Sequence, residues 1–173
     1  ALTANALGDV HGFRRLPGET DILAIASTAG LSIITTHEFS GGSDLSDESA
    51  WNHVRFPNSL VRNGLVNGDV VTNTAVQGEI GFDNLALRNG ASVTVDPGGT
   101  LTVAKTLSVD ASSSFVNSGT LARPIDTPGT LTISGDYTQT DSGTLHLQLT
   151  NDGFDRVAVT GNVSLAGTLE LII

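Results

Sequence analysis

The tripeptide Gly-Thr-Leu occurs five times, at residues 99–101, 119–121, 129–131, 143–145 and 167–169. Each copy opens a short stretch in which apolar and small polar residues alternate. Leu101 and Val103 follow one copy, Leu131 and Ile133 another, Leu145, Leu147 and Leu149 a third, and Leu169, Leu171 and Ile173 the last. A period of two gives each stretch one greasy face and one face of Thr, Ser, Gln or Glu. A glycine ahead of each strand supplies the backbone freedom of a corner. Short strands entered through glycine corners, with no helical interludes, predict an all-β chain wound as a β-solenoid. The corners read at Gly68, Gly90, Gly119, Gly143 and Gly167, spaced by 22, 29, 24 and 24 residues, a period that fits one solenoid turn. Pro97-Gly98, Pro128-Gly129 and Asp152-Gly153 supply further turn chemistry. About five turns at ~4.8 Å each would stand roughly 25 Å tall. The alternative is a β-sandwich or jelly roll, which also alternates short strands with regular turns. Self-repetition and the brevity of the strands favour the solenoid.

Composition narrows the function classes. At 173 residues the chain has the length of one domain with a core of its own. Hydrophobic residues are 39% but aromatic ones only 5%, so the core is aliphatic. Charged residues are 15%, against roughly 25% in ordinary domains. The net charge is −10, with one lysine (Lys105) beside seven arginines, and only Arg14 and Arg15 adjoin. Binding to phosphate backbones needs clustered cations, so no nucleic-acid partner is expected, and anionic lipid would repel the surface. No run approaches the ~18 apolar residues of a membrane span. Without cysteine, disulfides, thiolate metal sites and cysteine nucleophiles are excluded. The start Ala1-Leu2-Thr3 suits signal-peptide cleavage, and the expected location is extracellular.

Two textures divide the chain. Residues 1–57 read as an irregular N-terminal cap or assembly segment, with a strand-like stretch from Ile22 to Thr36, an acidic loop from Ser43 to Glu48, and one helical turn over Asp47 to Val54. Trp51, with Phe56 and Pro57, is expected to plug the first turn, sugar stacking being the sharper alternative. Residues 58–173 read as the solenoid.

The run from Gly129 to Ile173, including Gly-Thr-Leu-Thr-Ile-Ser-Gly-Asp-Tyr-Thr-Gln and Phe-Asp-Arg-Val-Ala-Val-Thr-Gly-Asn-Val-Ser-Leu-Ala-Gly-Thr-Leu, resembles the repeat segments of bacterial autotransporter passengers and related surface proteins. The resemblance is clear over these 45 residues and extends by texture over the preceding 70. It implies a right-handed parallel β-helix on a bacterial cell surface, serving as a stalk whose activity, where present, sits on inserted loops. It carries over no catalytic residue.

Several constellations bear on chemistry. Asp44, Asp47 and Glu48 form the best metal candidate, since calcium takes six to eight hard oxygens, but the spacing matches neither an EF-hand nor the Gly-rich Asp nonapeptide of calcium-binding solenoids, and a solvated capping loop is the blander reading. Glycosidases need two carboxylates about 5–10 Å apart. Asp96, Asp110, Asp126, Asp136, Asp141, Asp152 and Asp155 instead fall at turn signals, where Asp bonds its own bend. His11, His37, His53 and His146 show no metal spacing. The expectation is a non-enzymatic structural or adhesive solenoid without a cofactor; a glycan-processing β-helix enzyme using clustered Asp is the rival. Leu169, Leu171, Ile172 and Ile173 form an unprotected terminal edge. Three outcomes are open: continuation of a longer chain, end-to-end docking of a second copy through Ile22, Ile25 and Ile33, or inward pairing. Host or matrix glycans and proteins are the other expected partners.

Overall fold

A computed structural model of the chain describes residues 13–14, 23–24, 36–47, 50–51, 63–125 and 128–173. It divides into two units, residues 1–35 and 36–173. In the first, strand β1 (Phe13–Arg14) pairs antiparallel with β2 (Leu23–Ala24). Ile22, Ile25 and Ile33 lie outside the described residues.

The second unit is a parallel β-solenoid, and no α-helix occurs among its described residues. A leading part-turn holds β3 (Thr36–Glu38). Five rungs follow: β4 (Asn63–Asn67) and β5 (Asn73–Val76); β6 (Glu79–Arg88) and β7 (Ser92–Val95); β8 (Thr100–Val109) and β9 (Ser114–Asn117). The fourth holds β10 (Thr120–Ala122), β11 (Thr130–Ser134) and β12 (Tyr137–Gln139). The fifth holds β13 (Thr144–Thr150), β14 (Gly153–Phe154), β15 (Arg156–Val159) and β16 (Val163–Ser164), and β17 (Thr168–Ile172) opens a further one. The solenoid therefore begins upstream of residue 58, because β3 already pairs parallel with β4, and Asp44 bridges Ala75 in the same sense.

The rungs present three faces, of which the first rung shows only two among the described residues. Face A stacks the start of β6 on β8, then β10, β13 and β17. Face B stacks β3, β4, the end of β6, the end of β8, β11 and β15. Face C stacks β5, β7, β9, β12 and β16. The alternation seen in the sequence becomes inward columns. Ile80, Leu101, Leu121, Leu145 and Leu169 align on face A. Leu85, Leu107, Ile133 and Val159 align on face B. Burial of these aliphatic side chains, about 1.5–3 kcal/mol each when complete, drives the coil closed.

The corner glycines sort differently from the sequence reading. Between faces C and A the column is Gly78, Gly99, Gly119, Gly143 and Gly167, because Thr100, Thr120, Thr144 and Thr168 donate their N–H groups in turn to the carbonyls of Gly78, Gly99, Gly119 and Gly143, at 2.7–2.9 Å. Its spacing is 21, 20, 24 and 24 residues. Gly68 and Gly90 belong to the corner between faces B and C, next to Asn67 and Asn89. The Gly129 copy lies out of column too: its carbonyl accepts from Arg156 on face B. Gly119 and Gly143 show what the column requires. Neither has positive φ; instead, a Cβ on either would come closer than 3.0 Å to the carbonyl oxygens of Asp96 or Asn117 in the preceding rung. Close approach, not a left-handed backbone, selects glycine there.

The first turn carries the aromatic core. Trp51 is 2% exposed and packs against Phe39 and Phe82, with ring centroids 5.3 and 5.2 Å away. Its indole N–H donates to the Leu45 carbonyl at 2.9 Å. Of the helical turn expected over Asp47 to Val54, the described residues show a tight turn in which the Ala50 N–H donates to the Asp47 carbonyl at 3.0 Å, followed by Trp51 bridging Phe39 antiparallel. The burial of Trp51 leaves no ring face for sugar stacking. Phe56 and Pro57 lie outside the described residues.

Candidate functional site

Faces A and B meet at a corner that changes along the solenoid. In rungs two and three, β6 and β8 run straight through it, with a register shift between Phe82 and Asn84 and an exposed Lys105–Asp83 ion pair at 3.7 Å. In rungs four and five the chain leaves the coil. Residues 123–129 separate β10 from β11, and β13 turns back on β14 as a short antiparallel hairpin with Leu149 opposite Phe154.

Both excursions are fastened by Arg123 and Asp155. Arg123 sits two residues after Leu121, the place Val103 occupies after Leu101, so its charge falls in an apolar column. Its Nη1 donates to Asp155 Oδ1 at 2.6 Å, and its Nε and Nη2 donate to the Ala104 carbonyl at 3.0 and 2.9 Å. The same Oδ1 accepts the Gly129 N–H, and Oδ2 accepts the N–H and side-chain amide of Gln148. The Gln148 amide also reaches the Pro124 carbonyl at 2.7 Å. The two charged side chains are 8% and 1% exposed. Burial alone would raise the Asp155 pKa; the Gln148 N–H, the Arg123 side chain, the Gly129 N–H and the Arg123 charge together outweigh it and hold the carboxyl below its usual range. With both oxygens engaged by protein donors, this carboxylate works as a clasp between loops.

Beside the clasp lies a cleft of about 600 Å³ lined by Ile125, Pro128, Gln148, Thr150, Asp152 and Ile173. On the β13–β14 hairpin Phe154 is exposed, with the Arg156 guanidinium 5.6 Å from the ring centre.

The turn carboxylates hold corners together. Asp44 Oδ1 accepts from the N–H and hydroxyl of Ser46 and from the Gln77 N–H in the next rung. Burial pushes its pKa upward, but these bonds prevail and leave it lowered. Asp110 accepts the Asn89 N–H of the preceding rung, and Asp136 the Asn162 N–H of the following one. Asp47 is exposed, Glu48 lies outside the described residues, and no group of three His, Cys, Asp or Glu converges among the described ones. Of the histidines, His146 pairs across face A with Glu170 at 2.6 Å, and His37 is buried; His11 and His53 lie outside the described residues.

The solenoid's far end is the second distinctive surface. Leu165, Leu169 and Leu171 are 65%, 59% and 55% exposed, whereas Leu101 and Leu121, in the face-A column of Leu169, are 0%. A hollow of about 290 Å³ opens there, lined by Gln139, Leu145, Leu147, Leu165, Gly167 and Leu169. Beneath it the inward column Val76, Val95, Asn117, Gln139 changes from aliphatic to amide. The Gln139 amide donates to the carbonyls of Gly143, Ala166 and Thr168 and accepts from the Tyr137 hydroxyl at 2.8 Å.

The sequence reading singled out the terminal edge but not Arg123, Asp155 or Gln139. The one legible signal was a charge standing in an apolar column. No protein-family model, curated protein or solved structure matches the chain.

Proposed function

We propose that this chain is a non-enzymatic extracellular stalk, a solenoid whose work is to hold length and shape. One observation supports it above others: the carboxylates of Asp44, Asp110, Asp136 and Asp155 each accept backbone N–H groups that tie a corner or a loop. Acidic side chains used as fasteners do the work of rigidity, and a hydroxyl-rich outer face carries little chemistry of its own. Among the stalk-like roles, head-to-tail fibre formation has the least support. The inward residues Phe39, Leu45 and Trp51 of the first turn are 0–2% exposed, so they offer no bare apolar face for a second copy's last rung.

The test is incubation of the chain with a panel of acidic and neutral polysaccharides, with and without calcium, following chain length and released ends. The stalk reading predicts unchanged polymers. Turnover that disappears in Asp152→Ala, at the cleft beside the loops, would overturn it in favour of a glycan-processing enzyme.

A further inference from the structure

The necks of the two excursions close on one node, although they belong to different rungs. The first excursion leaves the coil at Arg123 and returns at Gly129; the second leaves at Gln148 and returns at Asp155. These four residues bond one another. The Gly129 N–H donates to Asp155 Oδ1 and the Gln148 N–H to Asp155 Oδ2, both at 3.0 Å, so one carboxylate holds a main-chain amide of each neck. Arg123 donates to the same carboxylate, and the Gln148 side-chain amide donates to it and to the Pro124 carbonyl of the other excursion. The Asp155 N–H closes its own neck on the Gln148 carbonyl at 2.8 Å. Arg123 ties the node to the coil through the Ala104 carbonyl of β8. Gly129 completes the seat. A Cβ there would come within 2.9 Å of both Arg123 Nη atoms, and the guanidinium is pinned between Asp155 and Ala104.

We infer that the two excursions are one conformational unit, a double latch that opens and closes as a whole while the remaining coil stays wound. The physical reason is the buried charge pair. Both side chains are buried, and a buried ion stripped of its partner is costly, so neither neck loosens while the node stays whole. Lifting the first excursion takes the Gly129 N–H, and with it the seat of Arg123, away from Asp155. Lifting the second takes Asp155 away from Arg123 and Gly129. Either movement strips the other neck. The coil beneath needs neither excursion, since β6 and β8 pass the same corner without one and pair along their length. Proteins open in such units at free energies below that of global unfolding. The latch goes beyond the stalk reading and does not depend on it: it sets one moving part on an otherwise rigid rod.

Native-state hydrogen exchange of the full chain, followed amide by amide by nuclear magnetic resonance in rising guanidinium chloride, tests it. The amides of Gly129, Gln148 and Asp155 should share one opening equilibrium and one denaturant dependence, and exchange at least tenfold faster than the slowest amides of β8. Gly129→Ala, which changes only the first neck, should quicken exchange at Gln148 and Asp155 by the same factor as at residue 129. Separate openings for the two necks overturn the inference, as does acceleration in Gly129→Ala confined to the first neck. Exchange of all three amides in step with β8 overturns it too, because nothing then opens short of global unfolding. Fraying from the far end is distinguished by its order: it would release Gln148 and Asp155 together with β16 and before Gly129, and that result also overturns the latch.

Discussion

Gly119 illustrates how tightly single residues are constrained where rungs stack. Its missing Cβ is the space taken by the carbonyls of Asp96 and Gly99. Gly119→Ala should cost about 1–3 kcal/mol or more, as overpacking does. Gly98 has a φ of +92°, and no atom lies within 4 Å of the place its Cβ would take. Gly98→Ala should therefore lose only about 1–2 kcal/mol to backbone strain. Denaturant unfolding of the two variants checks the order. The Arg123–Asp155 clasp gives a second prediction. Removing one partner of a buried ion pair typically costs about 3–5 kcal/mol, so Arg123→Met should be among the most destabilising single changes in the solenoid. Its pH dependence has a definite sign. Asp155 is held below the ~3.9 of an unfolded aspartate, so its contribution is complete above that value and fades as pH falls through the depressed folded value. Asp155→Asn does not titrate. The stability gap between it and the wild type should therefore be widest near neutrality and close below about pH 4, measured by urea unfolding across that range.

Rungs and their columns form the next scale. Face C changes from Val76 and Val95 to Asn117 and Gln139 as it nears the far end, and the Gln139 amide ties the β12 rung to the backbone leading into β17. Gln139→Leu keeps the bulk but leaves three carbonyls without that donor, a loss of about 1–3 kcal/mol. Hydrogen exchange should then quicken at the amides of Thr168–Ile172 while those of β8 stay protected. Equal rates in both strands would remove this role from Gln139. At this scale the sequence was only partly legible. Leu101, Leu145 and Leu169 announced their column through a two-residue period, and Leu121 through its Gly-Thr-Leu copy alone, since Arg123 breaks the alternation after it. The first turn did not, because Phe39, Leu45 and Trp51 fill it from an irregular stretch with no repeated tripeptide. Gly68 and Gly90 were placed with the wrong corner because a glycine signals a bend without saying which of three bends it makes. Asp155 read as a turn former; its partner Arg123 is 32 residues away, a separation that no local pattern records.

For the whole molecule, one register organises the winding: five glycines, 78, 99, 119, 143 and 167, stack in one column, with the Gly129 copy elsewhere. The absence of cysteine makes that register directly accessible through paired substitutions. Thr100→Cys/Thr120→Cys joins residues paired across adjacent rungs, and Thr130→Cys/Arg156→Cys does the same on face B. Neighbouring strands lie about 4.8 Å apart, within the Cα separation a disulfide tolerates. Mild oxidation should link both pairs and leave Thr100→Cys/Thr130→Cys reduced. Linkage of 100 to 130 in place of 100 to 120 would contradict the winding described here.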